Sequence, residues 1–576
     1  MNYVPVRAFL AACALICLGT AATHATLPID VTILPGGGSA VAVAVDAAGN
    51  IYVTGSADAQ SLPGAHHPVD NDSVGSDVYV AKLDPTGRLL FQTVFGGRHY
   101  EEGLSIGVDA QGRIYVVGVT YSGDFADPDF TGYQEPGEFG YPSDQIHYGG
   151  GFLAALDPTG SAILYSEILA ENDERVRVTD VAVTPDGRAY FLVMSGPDHV
   201  PYLGGFKVDR GPVAYPQLSM GCGGGWYYSY LTGLATDPAG NLYVSGTEYV
   251  ESDRMAHGVI GQAFVEKLDP RGAQLYATCF SSLDHLLGND VAADPAGNSY
   301  LTGYAASGNL PIAGAFQPEP GGGVDAFLAK LGPSGEVVYS TYLGGSGHDE
   351  GFGVAADPSG AAHVVGVTYS SDFPKVRALS DGCVPQGGSP CRFVARFGPT
   401  GEKLDFSTLF GRAWMTGTES GGEPVAAGPR GETYLADGGP LVRFAANRPP
   451  GCAAAVVSPA VIWPPDGRMV PVAITGVADP EGGEVELTVT SVFQDEPVAP
   501  GAADAAGIGT PNVSLRAARS GKGDGRVYHL RFTAADESGL ACAGEVTVCV
   551  PHGQGRGRTC GDGGALFASG PGGAER

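Results

Sequence analysis

The sequence predicts an all-β chain: a seven-bladed β-propeller closed by N- and C-terminal strands sharing one blade, followed by a small β-sandwich domain. Three observations predict it. Two hairpin motifs alternate along the chain, seven copies of each, with the last copy of the second motif truncated. Residues that punctuate turns are abundant, 90 Gly and 42 Pro among 576. The mature start of the chain also supplies a strand that the last repeat lacks.

The first motif is a strand, then Asp-x-x-Gly, then a second strand ending near Gly. It reads VDAAGNIYVTG around Gly49, VDAQGRIYVVG around Gly112 and TDPAGNLYVSG around Gly240. It recurs as ADPAGNSYLTG around Gly297 and ADPSGAAHVVG around Gly360, with degenerate copies around Gly187 and Gly431. The second motif, as in DAFLAKLGPSGEVVYSTYLGG around Gly335, recurs around Gly87, Gly160, Gly272 and Gly401, and weakly around Gly211. Pro presets φ near −65° in such turns, Asp binds nearby backbone N–H groups, and Gly takes the φ > 0 position. Period-2 alternation marks the flanking strands. Two hairpins make a four-stranded sheet too small to bury both faces alone, whereas seven around an axis cover one another.

The seventh copy of the second motif stops after LVRFAAN, Leu441 to Asn447. IDVTILPGG, Ile29 to Gly37, resembles the fourth strand YSTYLGG at Tyr339 to Gly345. The two ends are therefore expected to share one blade and leave no open edge. From the second motif's Gly to the next first-motif Gly the spacing is 25 in three cases (87 to 112, 272 to 297, 335 to 360). The reverse step varies, 24 from 187 to 211 but 48 from 112 to 160. In a meander the Asp-x-x-Gly turns share one face, so the variable connections, notably Thr120–Gly150 and Thr368–Arg392, are expected on the other as the functional face.

The segment Asp325 to Pro374, DAFLAKLGPSGEVVYSTYLGGSGHDEGFGVAADPSGAAHVVGVTYSSDFP, resembles the bacterial seven-bladed β-propeller (SBBP) repeat family, and Asp77 to Phe125 is a second strong copy. The resemblance spans roughly residues 29–447. It implies a fold and an exported location without a defined activity.

Residues 1–25 read as a signal peptide: Arg7, an apolar run from Ala8 to Ala22, and a small-x-Ala cleavage site at Thr23-His24-Ala25. No later segment is long and apolar enough for a transmembrane span. Eight cysteines remain after the signal, an even number suited to an oxidising compartment. Cys383 and Cys391 flank a Gly/Pro-rich loop and are expected to form a disulfide. The other pairings stay open, with Cys452–Cys542 and Cys549–Cys560 as candidates. Beyond Pro450, alternating segments at 470–476, 485–492, 513–518, 527–534 and 545–550 suggest a sandwich over 448–552. WPPDGRMVPVAITGVADPEGG within it resembles immunoglobulin-like or HYR-like modules of bacterial surface proteins. Residues 553–576, rich in Gly, are expected to fray.

A net charge of −30 repels phosphate backbones, so a nucleic-acid partner is excluded. A hydrophobic share of 43% excludes a disordered chain. Gly103-Leu104-Ser105-Ile106-Gly107 matches GxSxG but lies in a repeat strand, not at a strand–turn–helix elbow. No catalytic residue is assigned and no cofactor is required. Ca²⁺ is the cation the acidic motifs suit. Asp70, Asp72 and Asp77 form a D-x-D-x-x-G-x-D loop, and Asp349 and Glu350 follow GGSGH. Glu101-Glu102 aligns with Asp349-Glu350, and a structural role, accepting backbone hydrogen bonds between blades, competes with ion binding. Trp226, Tyr227, Tyr228, Tyr121 and Tyr369 are candidates for stacking on sugars or peptides, with inter-blade packing as the competing role. The functional expectation is an exported, non-enzymatic binding or adhesion scaffold for extracellular protein or glycan. The alternatives are a secreted hydrolase or lyase, Ca²⁺-assisted, in the propeller funnel, and a spacer. The sequence does not fix the oligomeric state.

Overall fold

The fold is described from a computed structural model. Outside the described residues lie 1–28, 33–37, 59–61, 63–64, 67–74, 123–124, 126–144, 170–175, 196–199, 209–210, 213–225, 253–257, 281–284, 307–309, 380–382, 386–387, 413–423, 437, 446–447, 481–483, 498–502, 522–523, 537–539, 554–559 and 571–576. The signal-peptide reading falls among them. The chain divides into two compact units, one Leu27–Asn447 and one containing Arg448–Arg576. Among the described residues the regular structure is β apart from a 3₁₀ turn at Cys452–Ala454, and no helix is long and apolar enough to cross a membrane.

Among the described residues the first unit holds seven four-stranded antiparallel sheets, none closed on itself. Six are meanders in chain order. The fifth, for example, runs through Leu286–Ala293, Ser299–Ala305, Asp325–Leu331 and Val337–Leu343. The sixth runs through Asp349–Ala356, Ala362–Thr368, Cys391–Phe397 and Leu404–Arg412. The seventh combines Val425–Ala427, Thr433–Leu435 and Leu441–Phe444 with Ile29–Thr32, in register from Ile29 with Phe444 to Thr32 with Leu441. The first strand of each sheet packs on the first strand of the next, and Val425–Ala427 packs on Ser39–Val45 of the first sheet.

The repeat motifs have direct physical causes. Asp237 Oδ1 accepts the N–H groups of Ala239 and Asn241 at 3.0 Å each, and Gly240 follows at φ +82°. In five copies of the first motif the closing Gly stands opposite a bulge, and the third sheet carries Val193 at the same register. In six sheets the first strand shifts register after its opening residues, as between Gly288 and Asp290. The bulged strand turns a carbonyl toward the neighbouring Gly. A Cβ at Gly303 would collide with Leu287 O, and one at Gly366 with Glu350 O. At these two glycines a side chain would run into the bulged backbone.

The turns also fasten sheet to sheet. Tyr243 Oη donates to Asp237 Oδ2 at 2.9 Å and lies equally near the Gly297 carbonyl of the next sheet. Lys267 Nζ donates to that carbonyl at 3.1 Å and sits 4.9 Å from the Tyr243 ring centre. Tyr300, Asp294, Lys330 and Gly360 repeat the set one sheet on. Burial and the adjacent aspartate both raise the Tyr243 and Tyr300 pKa values, so the phenols stay protonated donors.

Two expectations about connections are corrected. The strands extend into the expected Thr120–Gly150 loop, with Ser122 pairing Gln145. The Thr368–Arg392 connection does not stand free on one face. Val376 exchanges both backbone hydrogen bonds with Ser407 of the sixth sheet's outer strand, and Leu379 N donates to Thr408 Oγ1. Ala313 bridges Ser340 in the fifth sheet and His66 bridges Thr93 in the first. An outer strand exposes unpaired N–H and C=O groups, and these connections cover them.

The second unit has two four-stranded sheets over one apolar core that includes Ile462, Val489, Leu515, Tyr528, Phe532 and Val548. Disulfides join Cys383–Cys391, Cys452–Cys542 and Cys549–Cys560. Part of the segment expected to fray is instead packed. Phe567–Ala568 pair with Phe493–Gln494, and Ser569 Oγ donates to Gln494 Oε1. The Cys549–Cys560 link tethers this stretch, which a count of glycines does not reveal.

Candidate binding surface

The strand ends opposite the Asp-x-x-Gly turns bring polar and aromatic side chains together at two sheet junctions. Between the fifth and sixth sheets, the His348 ring lies 5.9 Å from Tyr369 and 6.3 Å from Tyr304. His348 Nε2 is 2.6 Å from Glu350 Oε1. Between the first and second sheets, Tyr100 lies 6.0 Å from Tyr121 in an edge-on contact, and its hydroxyl donates to Glu102 Oε2 at 2.8 Å. Burial and the Glu102 charge raise the Tyr100 pKa, keeping it a donor. The two clusters occupy equivalent register positions, since Glu102 pairs Val119 as Glu350 pairs Val367. Tyr100 is 39% exposed, and Tyr121, Tyr304, His348 and Tyr369 are half-buried. Each cluster therefore offers ring surface beside a carboxylate.

One residue away the same strands turn carboxylates inward. Asp349 and Glu101 open the first strands of the sixth and second sheets, and Asp325 and Asp77 open third strands of the sheets before them. All four are buried. A Cβ at Gly344 would meet both Asp325 and Asp349, and one at Gly96 both Asp77 and Glu101, so each junction holds a carboxylate pair. Gly97 N donates to Glu101 Oε2 and Gly345 N to Asp349 Oδ2. These are backbone bonds where the chain crosses between sheets. Burial and the Asp349 charge push Asp325 up to about 6, and burial raises Asp349.

A third set lies on the inner strands. Asp180 accepts from Ser105 Oγ at 3.0 Å and from Leu234 N of the next sheet at 2.7 Å. Asp290 accepts from Val291 N and, across to the sixth sheet, Val354 N, both at 2.7 Å. Burial pushes Asp180 up to about 6 and holds Asp290 well above the usual range. Ser105, the centre of the GxSxG match, serves this network.

The structure thus separates residues the sequence grouped together. Asp349 is buried beside Asp325, while adjacent Glu350 joins the aromatic cluster. Asp77 is described, but Asp70 and Asp72 lie outside the described residues, as do the side chains of Trp226, Tyr227 and Tyr228. Among the described residues no group of three or more His, Cys, Asp or Glu side chains is placed to hold a metal ion. Asp180, Asp290, Asp325, Tyr100 and Tyr304 were missed.

Residues 338–374 match the family described as Beta-propeller repeat (SBBP). No curated protein matches the chain. Solved structures that it resembles include one titled as a streptogramin B lyase, at 9% identity and TM-score 0.28 over 60% of this chain and 93% of that one. Another is the polysaccharide lyase Uly1, at 12% identity and TM-score 0.34 over 75% and 94%. A third is Sqt1 from Chaetomium thermophilum, at 12% identity and TM-score 0.30 over 73% and 100%.

Proposed function

We propose that the chain is an exported binding scaffold, a closed seven-bladed propeller followed by an immunoglobulin-like module, which recognises an extracellular glycan. Closure is supported by the cyclic packing of the seven first strands and by the pairing of Ile29–Thr32 with Leu441–Phe444. Gly438 N also donates to Ala40 O, and Ala40 N to Gly439 O. Export is supported by the disulfides.

The observation that carries the reading is the repeated pairing of half-exposed rings with a carboxylate, Tyr121 and Tyr100 with Glu102, and Tyr369 and His348 with Glu350. A ring face takes the C–H face of a sugar, and a carboxylate accepts its hydroxyl protons. The inner-strand carboxylates support a scaffold over an enzyme, because backbone N–H groups already engage them.

A glycan array on the full secreted chain tests this. Binding to a defined sugar class is expected, with Tyr121→Ala and Tyr369→Ala each weakening it about 3- to 10-fold, the equivalent of roughly 0.5–1.5 kcal/mol per ring contact. A blank array, or affinity unchanged in both variants, would sink the glycan reading. Capture of an extracellular protein through the same tyrosines would move it to a protein ligand.

A further inference from the structure

The carboxylate pair between the fifth and sixth sheets is chemically unfinished. Asp325 and Asp349 are both 0% exposed. Asp325 Oδ2 accepts from Gly321 N, and Asp349 Oδ2 accepts from Gly345 N and from Ser370 Oγ at 2.7 Å. The remaining oxygen of each, Asp325 Oδ1 and Asp349 Oδ1, is buried without a hydrogen-bond donor. Two buried like charges with two unserved oxygens are costly unless a positive charge joins them.

Two comparisons within the chain show that the ring does not require this arrangement. At the preceding junction the same register positions hold Gln262 and Leu286, a neutral pair. Gln262 opposes Glu248 as Asp325 opposes Ala305, and Leu286 opposes Ala305 as Asp349 opposes Thr368. At the junction between the first and second sheets, Glu101 stands in place of Asp349. Its longer side chain reaches Thr120 Oγ1 at 2.9 Å and Ser122 Oγ at 2.5 Å through Oε1, and Gly97 N through Oε2, so both its oxygens are served. At Asp349 the chain is one methylene shorter, and Oδ1 is left over. Thr368, the counterpart of Thr120, accepts from Ser370 N as Thr120 does from Ser122 N, and lies beside Asp349.

We propose that Asp325 and Asp349, with the Ser370 hydroxyl, hold one calcium ion at the junction between the fifth and sixth sheets. The donors are all hard oxygens, and two carboxylates balance a divalent charge. The Gly344 and Gly345 carbonyls border Gly321, whose N–H holds Asp325, and add neutral oxygens close by. The ion would tie the third strand of one sheet to the first strand of the next, below the His348–Tyr369 cluster.

The test uses the full chain stripped with EDTA. Calcium chloride, and not magnesium chloride at equal concentration, is expected to raise the melting temperature, and isothermal titration to count bound ions. Asp349→Glu, which copies the served carboxylate of the other junction, is expected to lose one ion from the count while keeping the wild-type circular dichroism spectrum. The double variant Asp325→Gln/Asp349→Leu, which copies the neutral junction, should do the same. A wild type indifferent to calcium overturns the proposal, and so does an unchanged ion count in both variants. If acidification from pH 7 to 5 stabilises the stripped wild type and calcium adds nothing, the pair shares a proton and the calcium assignment is wrong.

Discussion

Tyr300 and Asp294 belong to one sheet, yet together they fasten the next. The hydroxyl donates to Asp294 Oδ2 at 2.8 Å and lies 2.9 Å from the carbonyl of Gly360, in the turn of the following sheet. With a single proton it serves the carboxylate, and Lys330 Nζ serves the carbonyl at 3.2 Å. The ring itself is wholly buried.

This predicts a graded loss. Tyr300→Phe removes one hydrogen bond but leaves Asp294 Oδ2 with Asn298 Nδ2 at 2.6 Å, so a cost of about 1–2 kcal/mol is expected. Tyr300→Ala also opens a cavity and should cost about 3–5 kcal/mol. Urea unfolding of the two variants against wild type measures both, and equal losses would show that the hydroxyl contributes nothing.

The bulge predicts an asymmetry between Gly303 in the fifth sheet and Gly323 in the connection before that sheet's third strand. A Cβ at Gly303 collides with Leu287 O, whereas one at Gly323 finds its nearest atom, Gly347 O, at 3.4 Å. Gly303→Ala is expected to cost more than about 3 kcal/mol, because two paired backbones must separate. Gly323→Ala should stay within about 1 kcal/mol. The yield of soluble protein and the urea midpoint distinguish them.

Asp180 predicts a pH dependence with a definite sign. Folding raises its pKa from the usual carboxylate value to about 6, chiefly through burial. The folded state therefore holds this proton more tightly than the unfolded chain does. Its contribution is complete below pH 4 and is lost as pH climbs through about 6. Asp180→Asn, whose amide oxygen can still accept from Ser105 Oγ, should flatten the slope of melting temperature between pH 4 and 6.5. An unchanged slope would mean that Asp180 does not titrate there.

The second unit predicts unequal disulfides. Cys452–Cys542 spans 90 residues and Cys549–Cys560 spans 11. The chain-entropy argument gives about 4–5 kcal/mol for the first and about 3 kcal/mol for the second. Paired Cys→Ser replacement in the full chain, followed by limited proteolysis of the C-terminal region, should show earlier cleavage after loss of the longer link.

Much of the fold was legible because the repeats encode local chemistry. Asp237, Gly240 and Tyr243 specify a turn and an alternating strand within seven residues, and copies of that pattern announce their own number. The pairing of Ile29–Thr32 with Leu441–Phe444 has a trace in the sequence, because Ile29–Gly37 resembles Tyr339–Gly345. The Cys383–Cys391 link could be read from a short loop between two thiols. Of the candidate surface, Tyr121, Tyr369 and Glu350 could be placed by aligning repeats, and Tyr100 and His348 stand two residues before Glu102 and Glu350, but Tyr304 reaches His348 from the preceding sheet.

The sequence by itself determined the strand and turn pattern, because φ preferences, period-2 alternation and Asx turns act over a few residues. Only the tertiary structure decided which carboxylate faces inward. Asp349 and Glu350 are neighbours in the chain, and the pleat sends one into a buried pair with Asp325 and the other to His348. It also decided that Thr368–Arg392 covers an outer strand, because the unpaired backbone groups that attract this segment exist only once the sheet has formed.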